Sequence, residues 1–173
     1  MGIETATLFF ALLSLATALA VVAVAVLALV DRPRLDTIRD VALEAATAVA
    51  VVSTLGSLYL SEIALFEPCR LCWIQRGFMY PAAVVLVVAL VTRRRALTWV
   101  AAALSALGLP IAVFHRVEQA VGELSGVCDA ATPCAARWIN HLGFITIPTM
   151  AAIGFAAVLV FTTLTLTDSR SSS

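Results

Sequence analysis

The chain has 173 residues, of which 62% are hydrophobic and 13% are charged, and its mean hydropathy is +1.03. A soluble domain of this length needs much more polar surface, so we expect an integral membrane protein. Its eleven basic residues, all of them Arg, balance eleven acidic residues. This neutral charge gives no reason to expect binding to nucleic acid or to acidic substrates.

Five apolar segments are each long enough to cross about 30 Å of hydrocarbon as a helix, at about 1.5 Å per residue. We expect helices because a spanning segment must satisfy its own backbone polar groups. The predicted spans are residues 5–30, 41–65, 72–92, 96–114 and 144–166, the fourth with an amphipathic extension to Gln119. We expect the first span to be retained, since its apolar run is too long for a signal peptide and no basic residue precedes it.

The basic residues predict an orientation in the cell (inner or plasma) membrane. Seven of the eleven Arg lie between spans one and two, between spans three and four, or in the C-terminal tail. They are Arg32, Arg34, Arg39, Arg93, Arg94, Arg95 and Arg170. The positive-inside rule places them in the cytoplasm with the C-terminus, and it places the N-terminus outside. All four Cys then face the extracytoplasmic side, where disulfides can form.

Two cysteine pairs at the predicted membrane boundary are candidate redox groups. Cys69 and Cys72 form a Cys-x-x-Cys pair at the start of span three, and Cys128 and Cys134 lie in the loop before span five. A Cys-x-x-Cys spacing allows a strained, reducible disulfide, and a helix N-terminus stabilises a thiolate through its dipole and unpaired amides. We expect this effect to favour Cys72, which lies further into the first turn than Cys69.

Three polar side chains are candidate ligands for an electron acceptor beside these thiols. Arg76 lies four residues after Cys72 on the same helical face, so its guanidinium could stabilise a thiolate and an adjacent anionic acceptor. His115 and Gln119 share a face at the outer end of span four, where they could hydrogen-bond a quinone carbonyl or relay protons. Solvation among the lipid headgroups is the alternative for both.

The cysteines also allow two simpler explanations, a four-thiolate zinc site or purely structural disulfides. The five residues between Cys128 and Cys134 are more than a usual zinc knuckle contains, and an oxidising compartment disfavours four free thiolates. We therefore predict no metal site. Structural disulfides remain open at this point.

The chain resembles the DsbB family of bacterial disulfide bond formation proteins, including its shorter BdbC-like branch. The matching residues are Cys69-Arg-Leu-Cys72-Trp-Ile-Gln-Arg76, His115, Gln119, Cys134-Ala-Ala-Arg-Trp-Ile-Asn-His-Leu142-Gly143 and Pro148. The resemblance implies an all-α integral membrane fold with a four-helix core. We place this core at residues 41–167, after an additional transmembrane helix and cytoplasmic loop at 1–40 and before a disordered cytoplasmic tail at 168–173.

The resemblance also implies an activity, that of a quinone-dependent protein-disulfide oxidoreductase. Such a protein reoxidises an extracytoplasmic DsbA-like protein of the thioredoxin fold and passes electrons to the membrane quinone pool. By this similarity Cys69 and Cys72 would be the quinone-coupled pair, with Cys72 contacting the quinone and Arg76 polarising it. Cys128 would form the mixed disulfide with the soluble partner, and Cys134 would be its internal partner. The sequence does not choose between menaquinone and ubiquinone.

Two alternative functions belong to other classes. A vitamin K epoxide reductase-like quinone reductase also couples cysteine pairs to quinones, but there the loop pair normally precedes the Cys-x-x-Cys pair. The order is reversed in this chain, which favours the DsbB family. The other alternative is a non-enzymatic membrane protein with structural disulfides.

Overall fold

The computed structural model describes residues 2–30, 32–122, 126–128 and 132–167. The helices in these ranges are α1 (Ile3–Val30), α2 (Arg32–Asp40), α3 (Ala42–Glu62), α4 (Arg70–Thr92), α5 (Arg95–Val121) and α6 (Ile147–Thr167). All of them except α2 are long and apolar enough to cross a membrane. The predicted all-α fold with five spans is therefore confirmed. The predicted tail at 168–173 lies outside the described residues.

Helices α3, α4, α5 and α6 form a four-helix bundle. Both α3 and α5 pack against α4 and α6, so the four helices enclose one core. Leu86 of α4 and Phe155 and Val158 of α6 are fully buried there among alanines from all four helices. Such small residues let helix backbones approach closely, which is the usual means of packing helices where lipid provides no hydrophobic drive.

The connections between helices place an arginine-rich turn at one end of the bundle and both cysteine pairs at the other. Arg93, in a left-handed conformation with φ of 52°, ends α4, and α5 starts two residues later at Arg95. Arg93 also pairs with Glu44 at the start of α3, at 3.2 Å. The α3–α4 and α5–α6 connections lie at the other end of the bundle. Both cysteine pairs are in these two connections or at their boundaries, so both pairs lie at the same end.

Two details differ from the sequence-based expectation. The segment after span one was predicted as a loop, but it contains α2. Pro33 falls in the first turn of α2, where a backbone N–H would have no partner within the helix, so a proline is tolerated there. Arg39 pairs with Asp36, one turn earlier, at 2.8 Å. Helix α6 begins at Ile147, later than the predicted residue 144, because a turn closed by His141 and Ile145 precedes it.

Helix α1 lies at the edge of the bundle, against α6 and α2. Only Ala6, Thr7, Ala11 and Val24 of this helix are buried, so most of its apolar surface is left for lipid. Near its N-terminus the hydroxyl of Thr7 lies 3.1 Å from Nε2 of His141. This end of α1 is thereby held beside the loop that follows Cys134.

We expect Gly108 of α5 to be required for stability. A Cβ atom at this position would overlap the ring of Phe155, which is fully buried and cannot move freely. Gly108→Ala should lower the free energy of unfolding in mixed micelles by about 1–3 kcal/mol, the usual cost of overpacking. The matched control is Gly77→Ala in α4, where a Cβ meets nothing within 4 Å. It should be neutral or stabilising, and equal losses for both variants would contradict the prediction.

Candidate functional site

The first cysteine pair is built around the N-terminus of α4. Cys69 is the N-cap residue, in an extended conformation, and its Sγ accepts a hydrogen bond from the backbone N–H of Cys72 at 3.4 Å. The two Sγ atoms lie 2.9 Å apart as free thiols, with Cys69 buried and Cys72 partly exposed. We expected the helix terminus to favour Cys72. In the structure Cys69 receives the amide hydrogen bond because it occupies the cap.

The second pair forms a disulfide directly beside the first. Cys128 and Cys134 are bonded, with their Cα atoms 5.7 Å apart, and both are buried. The Sγ of Cys69 lies within 4.8 Å of the sulfur atoms of Cys128 and Cys134. The structure thus brings the four predicted cysteines into one cluster. While this disulfide exists, its sulfurs are not thiolates and cannot serve as zinc ligands.

His115 connects the two pairs from α5. Its ring is only 2% exposed. Its Nε2 lies 3.6 Å from the Sγ of Cys69 and 3.3 Å from the carbonyl oxygen of Cys134. On the other side, the side-chain nitrogen of Gln75 lies 2.9 Å from Nδ1. Because the Gln75 amide donates to Nδ1, the neutral ring carries its proton on Nε2, where it faces Cys69.

This environment favours a thiolate at Cys69. The hydrogen bond from the Cys72 thiol, together with the hydrogen bond from His115, lowers the pKa of Cys69 to about 4 against the opposing effect of burial. At neutral pH the reduced pair therefore carries its negative charge on Cys69. Thiol–disulfide exchange proceeds through thiolates, so this charge lies where exchange with the loop disulfide can occur.

Arg76 and Gln119, the other candidate ligands, are each held by a neighbouring segment. Arg76 donates from Nε and Nη2 to the hydroxyl and carbonyl oxygens of Ser57 in α3, both at 3.0 Å. Its guanidinium also lies over the ring of Trp73, at 5.0 Å from the ring centre. Gln119 donates to the carbonyl oxygen of Ala136 at 2.9 Å, which ties α5 to the segment after Cys134. Both side chains are thus fixed near the thiols.

A cavity of about 300 Å³ joins these groups. Its wall includes Cys69, Cys72 and Cys134 and all three candidate ligands, Arg76, His115 and Gln119. Much of the remaining wall is apolar and comes from α1, α3, α4 and α6. A few convergent polar groups in a mostly apolar cavity of this size are typical of a binding site for a small molecule.

Two residues that position this site were not predicted from the sequence. Gln75, which orients His115, lies three residues after Cys72 on the same face of α4, so its spacing offered a usable signal. Ser57, which holds Arg76 and also accepts a hydrogen bond from Tyr80 at 3.3 Å, lies on a different helix. Its role depends on packing between α3 and α4, and no local pattern in the sequence indicates it.

The fold and the site define a class of protein, a helical membrane bundle that holds a reduced dithiol against a disulfide. The chain matches the family described as "Disulfide bond formation protein DsbB" over residues 39–165, and it belongs to this family. It is therefore a disulfide oxidoreductase of the membrane with a function in disulfide bond formation. Helix α1 lies outside the matched residues.

Curated relatives agree with this assignment. The chain is 40% identical over 125 residues to "Disulfide bond formation protein C" of Bacillus subtilis, covering 71% of this chain and 91% of the relative. It is 38% identical over 135 residues to the "Probable disulfide formation protein" of Deinococcus radiodurans, covering 70% and 86%. No solved structure matches the chain.

We expect alkylation of Cys69 to report its lowered pKa. In the reduced protein the rate at Cys69 should stay nearly constant as the pH falls from 8 to about 5, and should decline through about pH 4 as the thiolate is protonated. His115→Ala should move this decline to higher pH, because it removes one of the groups that stabilise the thiolate. Iodoacetamide labelling followed by peptide mass spectrometry measures the rate.

His141→Ala is the matched control, because His141 contacts Thr7 of α1 instead of the thiols. It should leave the pH profile of Cys69 unchanged. A profile that is the same in the wild type and in His115→Ala would show that His115 does not stabilise the thiolate.

Proposed function

We propose that this protein reoxidises an extracytoplasmic DsbA-like protein of the thioredoxin fold and passes the electrons to a membrane quinone. The supporting observation is the position of Cys69. Its Sγ lies within 4.8 Å of both sulfurs of the loop disulfide, and the residue also lines the cavity that holds Arg76 and His115. Two thiol pairs in contact provide a path from a soluble dithiol to an acceptor dissolved in lipid.

The first step takes place at the loop disulfide. A thiolate of the reduced partner attacks Cys128, which breaks the Cys128–Cys134 bond and forms a mixed disulfide. The second thiol of the partner then displaces Cys128. The partner leaves with its own disulfide, and two electrons and two protons remain on Cys128 and Cys134. The assignment of Cys128 as the attacked sulfur follows the family resemblance.

The second step transfers the electrons to the pair at α4. When Cys69 and Cys72 are joined, a thiolate of the loop pair attacks Cys69 and displaces Cys72. Exchange then closes the Cys128–Cys134 disulfide again and leaves Cys69 and Cys72 reduced. The structure has this distribution, with the loop pair bonded and the α4 pair free. The short distances between Cys69 and the loop sulfurs support exchange without a large movement.

The residues of the cavity fit a quinone. Among the described residues, Oε1 of Gln119 is buried without a hydrogen-bond partner, so it can accept a hydrogen bond from a ligand hydroxyl. Arg76 would stabilise negative charge on the ligand, and His115 holds a proton at Nε2 beside Cys69. A bound quinone supplies an acceptor for two electrons and two protons. Menaquinone and ubiquinone share this chemistry, and the proposal covers both.

We further propose that the cysteine end of the bundle faces the extracytoplasmic side. The three Arg at the α4–α5 connection, Arg93, Arg94 and Arg95, lie at the opposite end of the bundle from the cysteines. An excess of Arg in a short connection favours the cytoplasm. This orientation gives the loop disulfide access to a soluble partner in an oxidising compartment.

Replacing Cys72 or Arg76 should slow quinone reduction by the purified protein in the presence of a reduced thioredoxin-fold partner. Cys72→Ser should abolish turnover, because the α4 pair can no longer form its disulfide. Arg76→Met should raise the KM for quinone by about 10- to 100-fold, which corresponds to one charged hydrogen bond. Arg94→Met, at the other end of the bundle, is the control. Unchanged kinetics in both site variants would contradict the proposal.

A trapping experiment tests the orientation and the role of Cys128 together. Cys134→Ser removes the internal partner and leaves Cys128 as a thiol. Its thiolate should attack the disulfide of an oxidised DsbA-like partner added outside spheroplasts, and the resulting mixed disulfide should accumulate because no Cys134 thiol resolves it. Cys128→Ser should accumulate much less. Non-reducing electrophoresis detects the complex. A complex that forms only in inverted vesicles would refute the orientation, and one trapped equally by Cys128→Ser would refute the assigned role.

A further inference from the structure

Helix α1 contributes one face to the cavity of the thiols, although it lies outside the residues matched by the family. Four of its side chains line the cavity, Phe10, Leu13, Ser14 and Thr17. Their spacing, with steps of three, one and three residues, is that of a single helical face. Another face of α1, which includes Leu12 and Leu19, is exposed outside the bundle. The helix therefore presents one face to the cavity and another to lipid.

One side chain of this face, Phe10, reaches across to α3 near the cysteine end. The ring of Phe10 packs on Gly56, where a Cβ atom would come within 3.1 Å of the ring. Phe10 also contacts Tyr59, with the ring centres 5.8 Å apart. The absence of a side chain at Gly56 lets Phe10 reach α3 and bridge the two helices. Below this contact, Leu13, Ser14 and Thr17 continue along the cavity.

The chemistry of this wall suits a hydrocarbon. The hydroxyl of Ser14 donates to the carbonyl oxygen of Ala11 at 2.8 Å. The hydroxyl of Thr17 donates to the carbonyl oxygen of Leu13, also at 2.8 Å. Each hydroxyl thus makes its donor hydrogen bond to the backbone of α1, so neither requires a polar ligand. Across the cavity, α3 presents Ala48, Val49 and Val52 among its lining residues. An apolar chain that lies along α1 therefore leaves neither the Ser14 nor the Thr17 donor unpaired.

The cavity thus has a polar redox end and an apolar extension. The polar end contains Cys69, Cys72 and His115 and lies at the end of the bundle where α1 begins. Phe10 to Thr17 cover about 10 Å along the axis of α1, leading away from that end. A ligand with a polar ring near the thiols and an apolar chain would direct its chain along α1.

We propose that α1 binds the isoprenoid chain of the quinone and thereby determines a preference for quinones with long chains. This inference rests on the proposed function, because it assigns the chain of the same acceptor. Leu13, Ser14 and Thr17 are the specificity-determining residues. The residues that would hold the ring, Arg76, His115 and Gln119, belong to α4 and α5, so α1 would affect binding of the chain without taking part in the electron transfer.

Leu13→Trp and Ser14→Leu test this inference by filling the groove along α1. The KM for a long-chain quinone should rise roughly tenfold, which corresponds to about 1.4 kcal/mol and to about two methylene groups no longer buried. The KM for the same quinone ring without its chain should change by less than about twofold. Leu12→Trp adds the same bulk on the exposed face and should leave both values unchanged.

Photolabelling of the unaltered protein provides a readout that does not depend on turnover. A quinone with a diazirine on its isoprenoid chain should cross-link to the α1 peptide that contains Leu13 to Thr17. An excess of unlabelled long-chain quinone should suppress the cross-link, whereas added phospholipid should not. Suppression by phospholipid alone would assign the groove to a lipid acyl chain and overturn the inference.

The two proposals fail in distinguishable ways. Wild-type protein that reduces no quinone while oxidising no partner would overturn the proposed function and this inference with it. Wild-type protein that reduces quinone, but shows no label on α1, would overturn the inference alone. An unchanged preference for chain length in folded Leu13→Trp and Ser14→Leu, checked by their helical circular dichroism, would do the same.

Discussion

The position of the Cys69 sulfur atom is the constraint on which the rest of the site depends. It is the cap of α4, it lies 2.9 Å from the Cys72 sulfur, and it lies within 4.8 Å of both sulfurs of the loop disulfide. Cys69 thus caps a helix, forms half of a dithiol and makes the contact between the two cysteine pairs. A shift of α4 along its axis would move the Cys69 sulfur away from the loop disulfide, and thiol–disulfide exchange requires these sulfur atoms to come into contact.

Packing of the bundle keeps that sulfur in place. Helix α5 carries His115 and Gln119, which contact Cys69 and the segment after Cys134, while Ser57 of α3 holds Arg76 of α4. Side chains from three helices therefore meet at one end of the bundle. The apolar core below them, centred on Leu86 and Phe155, fixes the helices without supplying any polar group to the chemistry.

The sequence was sufficient for the spans and insufficient for the contacts between them. Apolar length dominates the signal of a membrane helix, so all five spans could be predicted, whereas α2, which is nine residues long and mostly polar, gave no comparable pattern. The loop charges predicted that Cys72 and Cys134 share one side of the membrane. That Ser57 holds Arg76 and that Phe10 reaches Gly56 are results of packing between distant segments, which no local pattern encodes.

The capping of Cys69 has a consequence for the direction of electron flow. Interactions that stabilise a thiolate stabilise the reduced form of a dithiol relative to its disulfide, and so they raise the reduction potential of the pair. The backbone amide of Cys72 and the ring of His115 act on Cys69 in this sense. When Cys69 and Cys72 are joined, their disulfide is thereby a better oxidant than an unconstrained disulfide. In the proposed relay, the fold itself would therefore favour electron transfer inward from the loop pair.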